Sequence, residues 1–414
     1  MRNAGVEGGV YFLLLFTPLA FGGVEGWALG VVEIVAALTL LVWAWNRGEG
    51  EPSAGPGHPE ISGRLRVLWT TVALFVLLVA VQIVPLPAGV IRALSPRTHD
   101  LYAKTIPGYD GSPGGPRADL PAWLVARRPS PIAAAPDAND RDAVLRAPPG
   151  PDSPPGGVAA WRTLSIYSFA TRQKLGLLLA LIAVFAVVLG HFRTRERLFR
   201  LLAVAVFCGF AVSLLGILQK FNWNGRLYWI REGEFSNPFG PFVDRNTYAA
   251  FAGTTFPIAI GLMFGARRRL AHGTVDALPQ FLFSGFAAIT TMVGIFYSLS
   301  RGGMISTSLS VLIVAGLLAT YGRQKREIAV LGLMLALAAG FLFWIGPERV
   351  LERMGTLQQA QSDPSIYGRV EAWKHAVGMI ADHPITGTGL GTFAFAFLRY
   401  APPGGSWWNV AHNE

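Results

Sequence analysis

Cysteine and charge are both scarce in this sequence. Cys208 is the single cysteine, so no disulfide and no cysteine-based metal site can form within the chain. It lies inside an apolar run, where a free cysteine behaves as a small hydrophobic residue. Charged residues make up 14% of the sequence and hydrophobic residues 52%. This composition indicates an all-α protein whose main solvent is the lipid bilayer.

Several common functional motifs are also missing. We find no Walker loop, no Ser-His-Asp arrangement and no cluster of metal ligands. Gly387, Gly389 and Gly391 follow no strand that would make them a dinucleotide-binding loop. Asp140-Arg141-Asp142 has the D-x-D spacing of metal-dependent transferases, but no strand flanks it to hold two carboxylates in place. We therefore expect no metal and no cofactor.

The formal net charge of +10 raises the question of nucleic-acid binding. The arginines are spread over short loops between apolar runs, whereas a nucleic-acid site gathers them in one stripe. The charge therefore indicates membrane topology, and we expect no nucleic-acid partner.

Apolar runs long enough to cross roughly 30 Å of hydrocarbon predict about nine transmembrane helices. They are Val6–Gly22, Trp27–Trp45, Val67–Val84, Lys174–Gly190, Phe199–Leu218, Thr247–Ala266, Phe281–Ser300, Gly303–Tyr321 and Ile328–Gly346. A signal peptide is a poorer interpretation of the first run, because a second run follows at once without a convincing cleavage site. We expect one polytopic membrane domain over residues 1–414.

Short loops rich in Lys and Arg stay in the cytoplasm, and here they alternate consistently with the spans. The positive loops contain Arg2, Arg47, Arg64, Arg66, Arg193, Arg195, Arg197, Arg267, Arg268, Arg269, Arg323, Lys325 and Arg326. The amino terminus is therefore predicted to be cytoplasmic. Residues 85–172, 219–246, Arg301 and residues 347–414 then face outward.

The first outward segment, residues 85–172, has two parts. Apolar residues from Leu86 to Leu101 recur at helical spacing and predict a short interfacial helix. Residues 108–160 are rich in Pro, Gly, Ala and Asp, so this insert is predicted to be disordered.

The last outward segment, residues 347–414, is predicted to be a helical loop. Val370, Trp373, Val377 and Ile380 mark one face of a helix that stops at His383-Pro384. A glycine-rich turn follows, and Thr392 is placed to cap a second short helix that runs to Tyr400.

Two arginines are expected at the outer membrane boundary. Arg301 follows one span and directly precedes the next, where it either reaches lipid headgroups or binds an anion. Arg245 and Asn246 stand at the start of the sixth span, where backbone N–H groups and the helix dipole favour anions. A helix-start turn capped by Asp244 or Asn246 is the alternative for this segment. Together the arginines suggest a pyrophosphate site, because guanidinium matches phosphate oxygens without a metal.

His412 lies in the last outward segment, after two tryptophans. Imidazole titrates near neutral pH and can accept a proton from an attacking hydroxyl. A loop histidine is more often simply hydrogen-bonded, so its interpretation depends on the other residues around it.

Four ordered pieces resemble the O-antigen ligase and polymerase-like glycosyltransferases of bacterial envelopes. They are Pro241–Ala249, Ser300-Arg301-Gly302, Arg369–Trp373, and Gly387–Phe393 followed by His412-Asn413-Glu414. The resemblance covers roughly residue 240 to the end, while the amino-terminal half matches only in its succession of spans.

The resemblance implies a metal-independent, inverting glycosyltransferase of the bacterial inner membrane, with its active face in the periplasm. Its donor would be an undecaprenyl-pyrophosphate-linked glycan and its acceptor a glycolipid or glycan, for an O-antigen ligase the lipid A core. Arg245 and Arg301 would hold the pyrophosphate, Asn246 and Arg369 would also contact substrate, and His412 would be the catalytic base. Membrane lipids are the remaining expected partners.

Two departures from the family pattern bear on this expectation. Asp244 stands where the family more often has a neutral residue, so its carboxylate would partly neutralise Arg245. Relatives continue through further spans beyond the position of Glu414, so we expect a truncated chain whose own activity is uncertain.

Two other functions fit the same spans. A polymerase of O-antigen or exopolysaccharide repeat units shares the chemistry, and the sequence does not separate it from a ligase. An exporter of lipid-linked glycans belongs to a different class and should place ionisable residues near the membrane midplane. The spans here are nearly free of charge beyond Glu33, which favours chemistry at the surface over transport.

Overall fold

The computed structural model describes residues 2–48, 59–106, 109, 161–232, 237–320, 325–345 and 364–401. In chain order the helices are α1 (Arg2–Leu19), α2 (Gly26–Gly48), α3 (Pro59–Ile83), α4 (Ala88–Leu94), α5 (Pro96–Thr105), α6 (Ser168–His191), α7 (Arg195–Phe221), α8 (Arg245–Ala271), α9 (Leu278–Tyr297), α10 (Arg301–Thr320), α11 (Lys325–Ile345), α12 (Pro364–Asp382) and α13 (Phe393–Phe397). The chain separates into two compact units, residues 1–55 with 176–366 and residues 56–175 with 367–414. The single membrane domain expected over residues 1–414 stays a prediction.

Eight of the described helices are long and apolar enough to cross a membrane. They correspond to α2, α3 and α6 to α11, so the predicted all-α, polytopic membrane fold is confirmed. Helix α1, which coincides with the first of the nine predicted spans, is not among the eight.

The first unit has its main core among α7, α8, α9 and α11. Small residues let these helices approach closely. A Cβ at Gly294 of α9 would lie 2.1 Å from the hydroxyl oxygen of Tyr248 on α8. That buried hydroxyl donates to Ser213 Oγ of α7 at 2.9 Å, and Ser213 in turn donates to the backbone of its own helix. Gly294, Tyr248 and Ser213 therefore fix three helices side by side.

A second feature of the first unit is a group of charges around Glu7 of α1. Arg200 lies 2.9 Å from its carboxylate, and His191 and Arg197 lie within 3.8 Å. These three basic side chains come from the end of α6 and the start of α7, which the sequence assigns to a cytoplasmic loop. The structure thus brings together residues that the sequence places on the same side of the membrane. Which side of the membrane this is stays a prediction.

The second unit contains α3, α4, α5, α12 and α13. The helix predicted between Leu86 and Leu101 is in fact two helices, because Ser95-Pro96 interrupts it. The residue before a proline avoids the helical conformation, and Ser95 has φ −146° and ψ 81°. The prediction of one helix was wrong for this reason.

Helix α12 ends at Asp382, directly before His383-Pro384 as predicted. Its predicted apolar face, which includes Trp373, Val377 and Ile380, is exposed in the structure. Helix α13 begins after Thr392 as predicted but ends at Phe397, three residues short of Tyr400. The predicted disordered insert, residues 108–160, lies outside the described residues except for Tyr109.

Candidate functional site

A tight turn delivers the chain into α8. Phe239 and Phe242 exchange two backbone hydrogen bonds of 3.1 Å, and Gly240 between them has φ +57°. A Cβ at Gly240 would lie 3.1 Å from the Cα of Gly216 on α7, so the turn is seated directly on that helix. The N–H of Arg245 then donates to Asn237 O at 2.9 Å. These contacts fix the direction in which Arg245 leaves the turn.

Asp244 is the N-cap of α8. Its Oδ2 accepts hydrogen bonds from the N–H groups of Asn246 at 3.0 Å and Thr247 at 3.1 Å. A side-chain acceptor at this position satisfies helix donors that otherwise have no partner within the helix. The carboxylate therefore takes up the backbone N–H groups that the sequence analysis had proposed for anion binding. Anion binding at this helix start then depends on side chains.

Asn246 and Ser300 join the starts of α8 and α10. Ser300 Oγ donates to Asn246 Oδ1 at 2.9 Å. The same Ser300 oxygen accepts from the N–H of Gly303 at 3.3 Å, so it also caps α10. Arg245 and Arg301, the first residues of the two helices, are thus carried to the same end of the first unit. We call this end, formed by the starts of α8 and α10, the arginine end.

Close helix packing supports the same link. A Cβ on Gly303 would lie 2.6 Å from the Cβ of Ala249 on α8 and 3.1 Å from Ile295 of α9. A Cβ on the preceding residue, Gly302, would have no neighbouring atom within 4 Å. Gly303 is therefore a packing glycine, and it sets the separation of α8 and α10 two residues after Arg301. Both Arg245 and Arg301 are half-buried.

Residues 222–232 also lie at the arginine end. Arg231 forms an ion pair of 2.7 Å with Glu25, and its guanidinium lies 4.4 Å from the ring centre of Phe21. The hydroxyl of Tyr228 donates to Leu19 O at 2.6 Å, and burial raises its pKa to about 12. This loop is therefore held against the turn between α1 and α2, and Arg231 has a structural role.

An apolar cavity of about 670 Å³ opens beside the arginine end of the first unit. Its walls come from α1, α2, α6, α7 and α8, and most of them are aliphatic. It reaches Thr247, two residues after Arg245, and Phe242 in the turn before α8. A long apolar chain could therefore lie within reach of a group held at the start of α8.

The other predicted site residues fall elsewhere. Arg369 lies on α12 in the second unit and is half-buried. His412 lies outside the described residues, as does Asp140-Arg141-Asp142. Within the part of the chain that the structure describes, no group of three His, Cys, Asp or Glu side chains is placed to hold a metal.

The second unit contains the glycine-rich turn that the sequence predicted after His383-Pro384, and the structure shows which side chain holds it. Gln82, near the end of α3, donates to Thr386 O at 2.7 Å and accepts from the N–H of Leu390 at 3.1 Å. Gln82 is almost fully buried. One side-chain amide thus clamps both ends of the glycine-rich turn, residues 386–391.

His383 precedes this turn and was not predicted as a functional residue. Its Nδ1 lies 3.3 Å from Ser95 Oγ. Burial lowers the pKa of His383, Asp382 raises it, and Arg399 and Arg97 lower it further. The only sequence signal was a histidine placed between an amphipathic helix and a run of glycines.

The eight helices that are long and apolar enough to cross a membrane identify the chain as a multi-pass membrane protein. Residues 286–414 match the family model described as O-antigen ligase. No curated protein and no solved structure matches the chain. Over these residues the match supports the predicted O-antigen ligase-like family and a ligase-like function in O-antigen biosynthesis. It includes Arg301, Arg369 and His412, whereas Arg245 and Asn246 precede it.

Proposed function

We propose that this protein transfers a glycan from undecaprenyl pyrophosphate to the lipid A core, from the periplasmic face of the bacterial inner membrane. The observation that carries the proposal is the hydrogen bond between Ser300 and Asn246, because it brings the helix starts that carry Arg245 and Arg301 to one end of one unit. Two guanidinium groups there suit the two phosphates of such a donor.

The donor's polyprenyl chain fits the apolar cavity of the first unit. The cavity walls are aliphatic, and Thr247 at its edge is one of the first residues of α8. A lipid chain in this cavity would leave its pyrophosphate near the start of that helix. The arrangement supports a donor that is both strongly apolar and doubly phosphorylated.

The chemistry needs one displacement. The acceptor hydroxyl attacks the anomeric carbon of the donor glycan, a new C–O bond forms there, and the bond from that carbon to the pyrophosphate oxygen breaks. Undecaprenyl pyrophosphate leaves, and the configuration at the carbon is inverted. Arg245 and Arg301 stabilise the charge that grows on the leaving group, His412 accepts the proton of the attacking hydroxyl, and Arg369 contributes to substrate binding.

No step in this reaction requires a metal or a cofactor, because the donor is already activated and the arginines supply the positive charge. Positioning of donor and acceptor then accounts for much of the rate. Asp244 contributes indirectly: it caps α8 and so holds Arg245 and Asn246 in place.

Reconstituted transfer tests the function. Proteoliposomes receive an undecaprenyl-pyrophosphate-linked glycan together with either lipid A core or a second lipid-linked repeat unit as acceptor. We expect glycosylated lipid A core. Chain extension of the repeat unit alone would instead identify a polymerase, and movement of the intact donor across the bilayer without transfer would identify an exporter.

A further inference from the structure

The second unit contains a cavity of about 310 Å³ that differs in character from the apolar cavity of the first unit. One wall is the side of α3 with Phe75, Leu78 and Val79. The other wall combines the polar His383 and the glycine-rich residues 387–391 with the apolar Met379, Ile380 and Phe393. We call it the His383 cavity. We propose that the His383 cavity binds an uncharged, hydroxyl-bearing sugar group at the end of an apolar chain.

The apolar part of the ligand is indicated by α3. Leu78 lies about one helical turn before Gln82 and Phe75 about two, and both side chains remain substantially exposed. Ile380 of α12, which also lines the cavity, is 64% exposed. Apolar surface that continues from a polar cavity along a membrane helix suits a ligand with an alkyl chain.

The polar part is indicated by His383 and its partner. The imidazole Nδ1 is placed against Ser95 Oγ, which in turn lies 2.8 Å from Thr98 Oγ1. This contact orients the ring, and Nε2 at its other side can hydrogen-bond a hydroxyl. Gly387, Gly389 and Gly391 have no side chains, so a ligand can approach the backbone there, and the clamp of Gln82 holds the turn in place.

Charge favours a sugar over a phosphate. Burial lowers the pKa of His383 and so favours its neutral ring. The charged groups that act on it each have a partner of opposite charge. Arg97 lies 3.1 Å from Asp382, which also accepts a hydrogen bond from Tyr400, and Arg399 lies 3.7 Å from Asp100. His383 is the titratable side chain among the residues that line the cavity. A neutral imidazole hydrogen-bonds hydroxyl groups, whereas phosphate groups are bound by cations.

The cavity is distinct from the pyrophosphate site, since all its lining residues belong to the second unit. Its use as the acceptor site rests on the proposed transfer function, but binding of a glycoside does not require the donor. The two proposals can therefore fail separately.

Photolabelling of the whole protein in phospholipid nanodiscs, prepared without alkyl glycoside detergents, tests the inference. The probes are an alkyl glucoside and an alkyl phosphate that carry the same diazirine-bearing chain, with free glucose and unlabelled alkyl glucoside as competitors. We expect the glucoside to label peptides from α3 and residues 379–393, and the phosphate to label them weakly. Stronger competition by alkyl glucoside than by glucose would identify a lipid-linked sugar, and equal competition a free one.

Two variants sharpen the test. His383→Ala should reduce glucoside labelling about tenfold, the effect of losing about one hydrogen bond. Leu78→Trp should abolish labelling by filling the cavity, and Leu77→Trp is its control, because Leu77 is on the same helix, is exposed and does not line the cavity. Thermal unfolding identifies variants that have lost their fold.

Equal labelling by both probes, or labelling that survives both His383→Ala and Leu78→Trp in folded protein, would overturn the inference. Donor-dependent transfer measured on the same variants keeps the outcomes separate. Loss of labelling with intact transfer to lipid A core would show that the cavity binds glycosides but is not the acceptor site.

Discussion

Ser300 donates a hydrogen bond of 2.9 Å to Asn246 and thereby joins the first residues of α8 and α10. The same hydroxyl caps α10, so a single side chain both ends a turn and positions a neighbouring helix. Because Arg245 and Arg301 adjoin the two partners, the contact determines whether the arginines act together.

Replacing Ser300 with Ala should therefore reduce both stability and donor binding. Loss of a cap and of a partly buried hydrogen bond costs about 1 to 2 kcal/mol. Ser310→Ala is the control, since Ser310 is half-buried and donates its hydrogen bond to Ser306 within its own helix. Thermal unfolding and donor affinity are measured for both, and an unchanged donor affinity in Ser300→Ala would remove the proposed link.

Gly303→Ala should separate α8 from α10. The added Cβ would meet Ala249 at 2.6 Å, and overpacking of this kind costs about 1 to 3 kcal/mol. Gly302→Ala is a matched control because its Cβ meets nothing within 4 Å, and alanine is the better helix former there. The account predicts a lower unfolding temperature for Gly303→Ala only; equal effects would contradict the packing argument.

Gln82→Leu should unfold the glycine-rich turn of the second unit. It leaves Thr386 O and the N–H of Leu390 without their partner, and each unsatisfied buried group costs about 1 to 3 kcal/mol. Gln173→Leu, an exposed position on α6, serves as the control. Hydrogen exchange of residues 386–391 should accelerate in Gln82→Leu alone, and unchanged protection there would show that the amide is dispensable.

Acidification should destabilise the second unit through His383. Burial lowers its pKa below that of the unfolded chain, so the unfolded state binds a proton first and stability falls as the pH drops through about 6.5 and below. Asp382 opposes the shift, while Arg399 and Arg97 add to it. His383→Gln should flatten the dependence of unfolding temperature on pH between 7 and 5. His272→Gln, at an exposed position, should leave it as in the parent protein; an unchanged slope in His383→Gln would contradict the assignment.

The sequence predicted the helices well because hydropathy and arginine-rich loops determine where a chain enters and leaves a bilayer. It also predicted Asp244 as one of two candidate caps, since cap residues act locally. It did not predict the contact between Ser300 and Asn246, because fifty-odd intervening residues must fold before the two meet. His383 was missed for a similar reason: its surroundings include Ser95 between α4 and α5, Arg97 on α5 and Arg399 after α13, and no local pattern reveals them.

The family match and the described contacts cover different residues of the predicted site, except for Arg301, which both include. The match covers Arg301, Arg369 and His412, whereas the described contacts fix the position of Arg245 through the turn before α8 and of Arg301 through Ser300. The roles of all five predicted residues remain proposals that binding and kinetics must decide.

In the proposed function, Arg245 and Arg301 hold the donor's pyrophosphate while His412 acts on the acceptor. Donor affinity and transfer rate, measured together on purified variants, test it most directly. Arg245→Ala and Arg301→Ala should weaken donor binding by roughly 1.5 to 3 kcal/mol each, Lys at either position should restore it only in part, and the exposed Arg226→Ala should have no effect. His412→Ala should bind the donor normally and lose transfer. Transfer at the parent rate by His412→Ala, or unchanged donor affinity in both arginine variants, would contradict the account.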